Sequence, residues 1–570
     1  VKKRTAWVLV AAVAAVSLGA AAVGLLALAL RGGGRVGGTG NRYLVVRLSG
    51  DVPEAPPSSE LETLLERRPP SLRTIVESME RSAGDASIKG LVLRVNALPG
   101  AGWGKVQELR DAVLRFRRSG KPAYAHLEFC SNKEYYLATA CTKVYAVPTA
   151  IVDVSGLSVE VMFLRKTLDK LGVQAQFEGV GRYKNAPNQF TEAGFTPPHR
   201  EQMSSLLDSL FAQYVAAIAE GRKKSVDEVR ALLDRGPFDG QGAVEAELVD
   251  ELLYRDQVEE KLGAADRITP GRYVKLARGL FDPRPRVALV YAVGEIVPGD
   301  SASGAALGGD LAGSDTVSGA LRAAREDRDI RAIVFRVDSP GGFGPAADVI
   351  WREVALARKA KPVVVSMGDY AASGGYYIAM GSDGIVAQPG TITGSIGVFS
   401  GKFVLRGLYD KLGLTKEVLK RGRYADLFSE YRPWTPEERA RIREQAEAFY
   451  DDFIARVAAG RGRSKEDVDR VAQGRVWTGT QAREHGLVDE VGGFEAAVGL
   501  AKKKAGIPAS AEVALVVFPE RKGFFEALME RQEEGVEARL PAELGTVLRW
   551  ARLLRDGAVV ARLPFDLRVR

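Results

Sequence analysis

The stretch GDYAASGGYYIAM, Gly368 to Met380, sets Ser373 before two glycines and between two apolar runs, KPVVVSM and GIVAQPG. This is the pattern of a strand that turns into a helix and presents a hydroxyl at the helix N-terminus. A serine hydroxyl is a weak nucleophile at neutral pH and needs an adjacent base. The chain has three histidines. His126 falls in a strand pattern, His199 at the start of an exposed-looking helix, and His485 in the tail QAREHGLVDE. None is well placed to take the proton. A lysine can serve instead, provided burial in an apolar site disfavours its ammonium form.

Which lysine follows from an internal duplication. LVLRVNALPGAGWG, from Leu91, answers to AIVFRVDSPGGFG, from Ala332. SGKPAYAHLEFCSNKEYYLATA answers to KAKPVVVSMGDYAASGGYYIAM, and GRYKN to GRYAD. Tyr136 and Tyr377 are separated by 241 residues, as are Tyr183 and Tyr424. A repeat this long is two copies of one domain rather than a solenoid. Opposite Ser373 stands Asn132, and opposite Gly374 and Gly375 stand Lys133 and Glu134. Opposite Lys184 stands Ala425. One copy has lost the nucleophile and the other has lost the lysine, so together they predict one Ser–Lys dyad, Ser373 with Lys184. The tetrahedral intermediate needs backbone donors. The amide of Gly374 is one candidate, and Gly341 of VDSPGGFG, where backbone can approach a ligand closely, is the other. Ser395, in TITGSIGVF, is a candidate for orienting the lysine by hydrogen bond.

The elements that must hold these residues alternate between strand and helix patterns, which is the signature of an α/β fold. Thr435, Pro436, Glu437 and Glu438 mark a helix start, with Gly460 as the expected stop; Thr196 opens the matching helix in the first copy. The expected organisation is an anchor at 1–31, a Gly-rich spacer at 32–41, a first repeat at 42–270, a second at 285–505 and a C-terminal extension at 506–570, read as an extra strand and helix.

Composition narrows the class. The 570 residues exceed one compact core. The net charge of +8 comes from basic residues that are scattered apart from groups near the N-terminus and at the C-terminal LRVR, without the clustered basic and aromatic motifs of a nucleic-acid binder. No CxxC occurs, which excludes a zinc ribbon or redox pair; Cys130 and Cys141 read as buried small apolar residues, with a disulfide left open. No metal or cofactor is called for. From Thr5 to Leu30 the chain is uncharged and long enough to span a bilayer. Lys2, Lys3 and Arg4 hold its N-terminal end in the cytoplasm and place the body outside. A cleaved signal peptide is the rival reading of that segment.

The motifs DSPGG, GDYAASGGYY, GTITGSIGVF, GRYKNA and GRVWTGTQAREHGLVDE together resemble the signal peptide peptidase A family in its long, two-repeat bacterial form. The resemblance covers nearly the whole chain after the anchor. It implies tandem crotonase/Clp-like α/β domains and a homotetrameric bowl on the outer face of the plasma (inner) membrane. It implies serine endopeptidase activity on signal peptide remnants and other apolar peptides, with no cofactor. By the family pattern Ser373 is the nucleophile, Lys184 the general base, and the amides of Gly341 and Gly374 the oxyanion hole. Phe343 departs from the pattern, where a small polar residue is common. Two other readings stand beside this one. A CoA-thioester lyase or isomerase of the same superfamily conflicts with an outward-facing body, because CoA esters are cytoplasmic. A non-catalytic membrane scaffold conflicts with half-sites that decay only where they are redundant.

Overall fold

The computed structural model describes residues 42–56, 69–263, 266–277, 283–302, 309–519 and 560–562. The expected anchor and spacer, and the helix expected in the C-terminal extension, lie outside these residues. Among the described residues no helix is long and apolar enough to cross a membrane.

Each repeat builds its own sheet from short apolar runs. In the first, the order is Phe238–Asp239, Lys143–Val152, Ala123–Cys130, Ile88–Val95, Arg42–Leu48 and Asp266–Ile268, with Glu251–Leu252 also on Lys143–Val152. In the second, the order is Val476–Thr478, Ile392–Gly394, Val363–Ala372, Ile330–Ser339, Arg286–Val293 and Ala514–Phe518. The long neighbouring strands run parallel in both sheets. Parallel strands need both faces covered, which is why IKGLVLRV and IRAIVFRV read as nearly continuous apolar runs instead of alternating ones. Helices Trp103–Arg117 and Gly344–Ala360 are the corresponding covers. The first repeat's packing continues past Ile268 into helix Pro270–Ala277, whose Tyr273 is buried and donates to Asp85 at 2.9 Å.

A third sheet joins the repeats. Gln174–Val180 of the first pairs antiparallel with Val398–Val404 of the second, from Val180 opposite Val398 to Gln174 opposite Val404. On its other side lie Val560–Arg562, Gly341–Phe343, Glu295–Val297 and Leu311–Gly313. Of the two strands in the C-terminal extension, Ala514–Phe518 joins the second sheet, and Val560–Arg562 is antiparallel to Gly341–Phe343, with Arg562 opposite Gly341 and Val560 opposite Phe343. Val560 is also opposite Phe399.

The two long helices, Pro197–Arg222 and Pro436–Arg461, each run 26 residues. Thr196 and Thr435 cap them as the sequence predicts, their side chains accepting from the amides of His199 and Glu438. The stop differs from expectation. The second helix runs through Gly460 and ends at Gly462, whose φ of +61° is the left-handed conformation that favours glycine. Gly460 answers a packing demand instead: a Cβ there would collide with the carbonyl oxygen of Met380. Gly221 meets Thr139 O in the same way in the first repeat. His199 is buried, not exposed, with the rings of Phe163 and Phe195 at 5.9 and 4.9 Å. Burial pushes its pKa down to about 4. Cys130 and Cys141 are free thiols, both buried.

Candidate active site

Strand Val363–Ala372 delivers Ser373 to the start of the short helix Gly374–Ala379. Ser373 holds φ 56° and ψ −113°, a backbone conformation that costs a non-glycine residue about 1–3 kcal/mol. Neighbouring bonds over-determine it. Its amide donates to Gly394 O at 2.8 Å, and its carbonyl accepts from Tyr377 N at 2.8 Å. Gly375 is required beside it, because a Cβ would come within 2.6 Å of Ser339 O. The first repeat supports this turn from outside: Met203 and Leu206 of helix Pro197–Arg222 cluster with Ala372, Ile392 and Val476. A fully buried side chain of that size contributes about 1.5–3 kcal/mol.

Lys184 arrives from the loop after strand Gln174–Val180. Its Nζ lies 2.7 Å from Ser373 Oγ and 3.0 Å from both the carbonyl oxygen and Oγ of Ser395. The amine is buried, and desolvation holds its pKa well below the usual lysine value. Among the described residues no carboxylate offsets that effect, which favours the neutral amine. The second repeat clamps the lysine in place. Tyr183 N donates to Gln473 O at 2.7 Å, and Gly474, at φ +74°, lies flat against the Lys184 backbone. Ser395 N donates to Arg475 O at 2.7 Å, so one loop fixes both the lysine and its partner serine.

Gly374 is the first residue of the helix after Ser373. Gly341, at φ +103°, begins the strand Gly341–Phe343, and its amide donates to Ser339 Oγ at 3.1 Å. Gly342 follows with a backbone so close to Ile296 that no side chain fits. Phe343 caps helix Gly344–Ala360 and packs against the buried cluster of Ala186, Phe190 and Phe399.

The redundant halves are filled in. Asn132, opposite Ser373, donates to Gly156 O at 2.7 Å and accepts from Tyr214 OH at 2.9 Å. Lys133 Nζ donates to the carbonyls of Leu98 and Ala101, and Glu134 accepts from Leu98 N at 2.7 Å. Lys133 and Glu134 satisfy backbone groups of the turn that answers to DSPGG of the second repeat. Ala425, opposite Lys184, is exposed.

Sequence reasoning missed Ser339, Gln473 and Gly474. Gly474 and Arg475 begin the quoted motif GRVWTG, so the signal was present without a role attached to it.

A model of peptidase family S49 matches the chain twice, at residues 115–268 and 355–508. The chain is 36% identical over 462 residues to the chloroplastic serine protease SPPA of Arabidopsis thaliana, covering 78% of this chain and 67% of that one. It is 32% identical over 495 residues to Protease 4 of Salmonella typhi, covering 84% and 78%. ClpP1 from Listeria monocytogenes is similar over 36% of this chain and 91% of its own, at 17% identity and a TM-score of 0.22. With the family model matched once in each half and curated proteases aligned along most of its length, the chain belongs to peptidase family S49 and is a serine peptidase built from two copies of that domain.

Proposed function

We propose that this chain is a membrane-anchored serine endopeptidase that degrades cleaved signal peptides, with Ser373 as nucleophile and Lys184 as general base. The observation that carries this reading is the 2.7 Å approach of a buried lysine amine, paired with no carboxylate among the described residues, to a serine hydroxyl on a strained turn. Neutral Lys184 takes the Ser373 proton as Oγ bonds to the scissile carbonyl carbon. The amides of Gly374 and Gly341 receive the oxyanion, Gly341 exchanging its bond to Ser339 Oγ for the substrate oxygen. The C–N bond breaks as the Lys184 ammonium returns the proton to the leaving amine. Lys184 then deprotonates a water that hydrolyses the acyl ester. Ser395 orients the amine throughout.

The substrate side rests on the third sheet. A strand fits antiparallel between Gly341–Phe343 and Phe399, as Val560–Arg562 does, which supports binding of an extended peptide backbone. Phe343 at this edge is partly buried on the apolar cluster of Ala186, Phe190 and Phe399, which supports an apolar peptide there. The uncharged stretch from Thr5 to Leu30 supports the anchor, and the homotetramer of the family resemblance belongs to the same reading.

The test is cleavage of a fluorogenic signal-peptide sequence by the purified chain beside folded Ser373→Ala and Lys184→Ala variants. Both variants are expected to lose activity. A Lys184→Ala variant as active as wild type places the base elsewhere. A wild type that cleaves no apolar peptide removes the substrate assignment.

A further inference from the structure

A second lysine of the first repeat is buried against the catalytic repeat. Lys105 lies on helix Trp103–Arg117. Its Nζ is 3.0 Å from Asp338 Oδ2, 3.6 Å from Asp369 Oδ2 and 3.9 Å from Glu54 Oε2. The same helix start grips Asp369 through backbone: Gly102 N donates to Oδ2 and Lys105 N to Oδ1, each at 2.7 Å. Asp338 accepts in turn from Tyr370 N at 3.0 Å. All of these side chains are at most 9% exposed, so water screens none of their charges effectively.

The position of the two aspartates is what matters. Asp338 is three residues before Gly341, and Asp369 is four before Ser373. Between them the strand pairing breaks register: Val337 is opposite Met367, but Ser339 is opposite Ala371. The nucleophile strand therefore carries a bulge at Gly368–Tyr370, and bulges re-aim the side chains that follow them. Asp369 is the side chain of that bulge, and Asp338 is directly across from it. Gly368 is packed so closely on Asp338 that a Cβ would come within 2.9 Å of it, and Gly104 fits against Gly368 O only because it too lacks a side chain.

We propose that Lys105 is a positioning residue for catalysis: by holding Asp338 and Asp369 it sets the bulge that aligns Ser373 with the Gly341 amide. The first repeat thus supplies the geometry of the nucleophile as well as its base. This rests on the reading of Ser373 and Gly341 as catalytic. Charge balance makes Lys105 hard to replace. Arg336, the other buried cation here, is engaged by Glu54 at 2.6 Å and Glu108 at 3.0 Å. Burial alone would lower the Lys105 ammonium, but Asp338, Asp369 and Glu54 outweigh it and hold the pKa well above the ordinary value. Burial raises Asp369 to about 6 despite Lys105. Without that cation, two carboxylates at one bulge face each other uncompensated.

The experiment compares Lys105→Met, Lys105→Arg and Asp369→Asn with wild type, on kcat per active site titrated by a fluorophosphonate, KM, and thermal stability. Ser373→Ala serves as the control for the catalytic reading. Lys105→Met is expected to lower kcat per titrated site at least tenfold with KM within twofold, and Lys105→Arg to recover part of the loss. Should Lys105→Met fail to fold, Asp369→Asn, which keeps the volume but presents one acceptor oxygen to two amides, is expected to show the same kcat loss. A folded Lys105→Met with kcat per site within twofold of wild type overturns the proposal, as does unchanged kcat in Asp369→Asn. An active Ser373→Ala overturns the catalytic reading beneath it instead.

Discussion

On the proposed mechanism Lys184 acts as a base where most lysines are acids, and its burial imposes a definite pH behaviour. In the unfolded chain its amine titrates at roughly 10.4; in the folded chain desolvation lowers that value well below. Activity that needs the neutral amine should rise with pH, with a midpoint below about 10.4, in kcat/KM measured on a peptide. The same shift affects stability. Between the two values the unfolded chain holds a proton that the folded chain lacks, so the contribution of this group to stability rises with pH up to the unfolded value. Wild type should therefore gain stability relative to Lys184→Met as the pH rises towards the unfolded value of roughly 10.4, as read from denaturant unfolding at each pH. A parallel pair of pH curves counts against the buried-amine account. Ser395→Ala is expected to lower kcat about tenfold with KM unchanged. It removes one of the amine's two contacts at Ser395 and leaves the carbonyl.

At the level of elements, the loop Gln473–Arg475 is the tightest constraint on the dyad. A methyl group on Gly474 would lie 2.5 Å from Lys184 N and 2.6 Å from its Cβ. Gly474→Ala is expected to reduce kcat about a hundredfold by displacing the amine from Ser373, since misplacement by about an ångström costs that much. Peptide hydrolysis by the folded variant measures it. The elements themselves were largely readable from sequence. Thr196 and Thr435 announced their helices because capping is local chemistry, written in adjacent residues. Gly460 misled because its reason is a carbonyl of Met380, eighty residues away in the chain. His199 misled for a mixed reason: Phe195 stands just before its helix, but the other ring that encloses it, Phe163, comes from a separate segment.

For the whole molecule, the duplication was the informative feature, because reciprocal losses at Asn132 and Ala425 point to one site assembled from two copies. Ser373 and Lys184 meet within a single chain, which the sequence left open between one chain and neighbours. The buried ion network was not legible. Glu54, Lys105, Asp338 and Asp369 are scattered charges along the sequence, and only the packing of one repeat on the other brings them together. The same holds for the strand Val560–Arg562, whose partners Gly341–Phe343 lie more than two hundred residues earlier.

That strand has an enzymological consequence. A tethered segment beside its site acts at an effective concentration on the order of millimolar. On the proposed reading, in which substrate pairs with Gly341–Phe343, every added peptide has to displace this resident strand, and dilution of the enzyme gives no relief from it. Ending the chain at Pro519 is expected to lower KM for short peptides about threefold or more while leaving kcat unchanged. Steady-state kinetics of the shortened and full chains, run side by side, measures the difference. An unchanged KM would mean that the resident strand leaves as easily as solvent does.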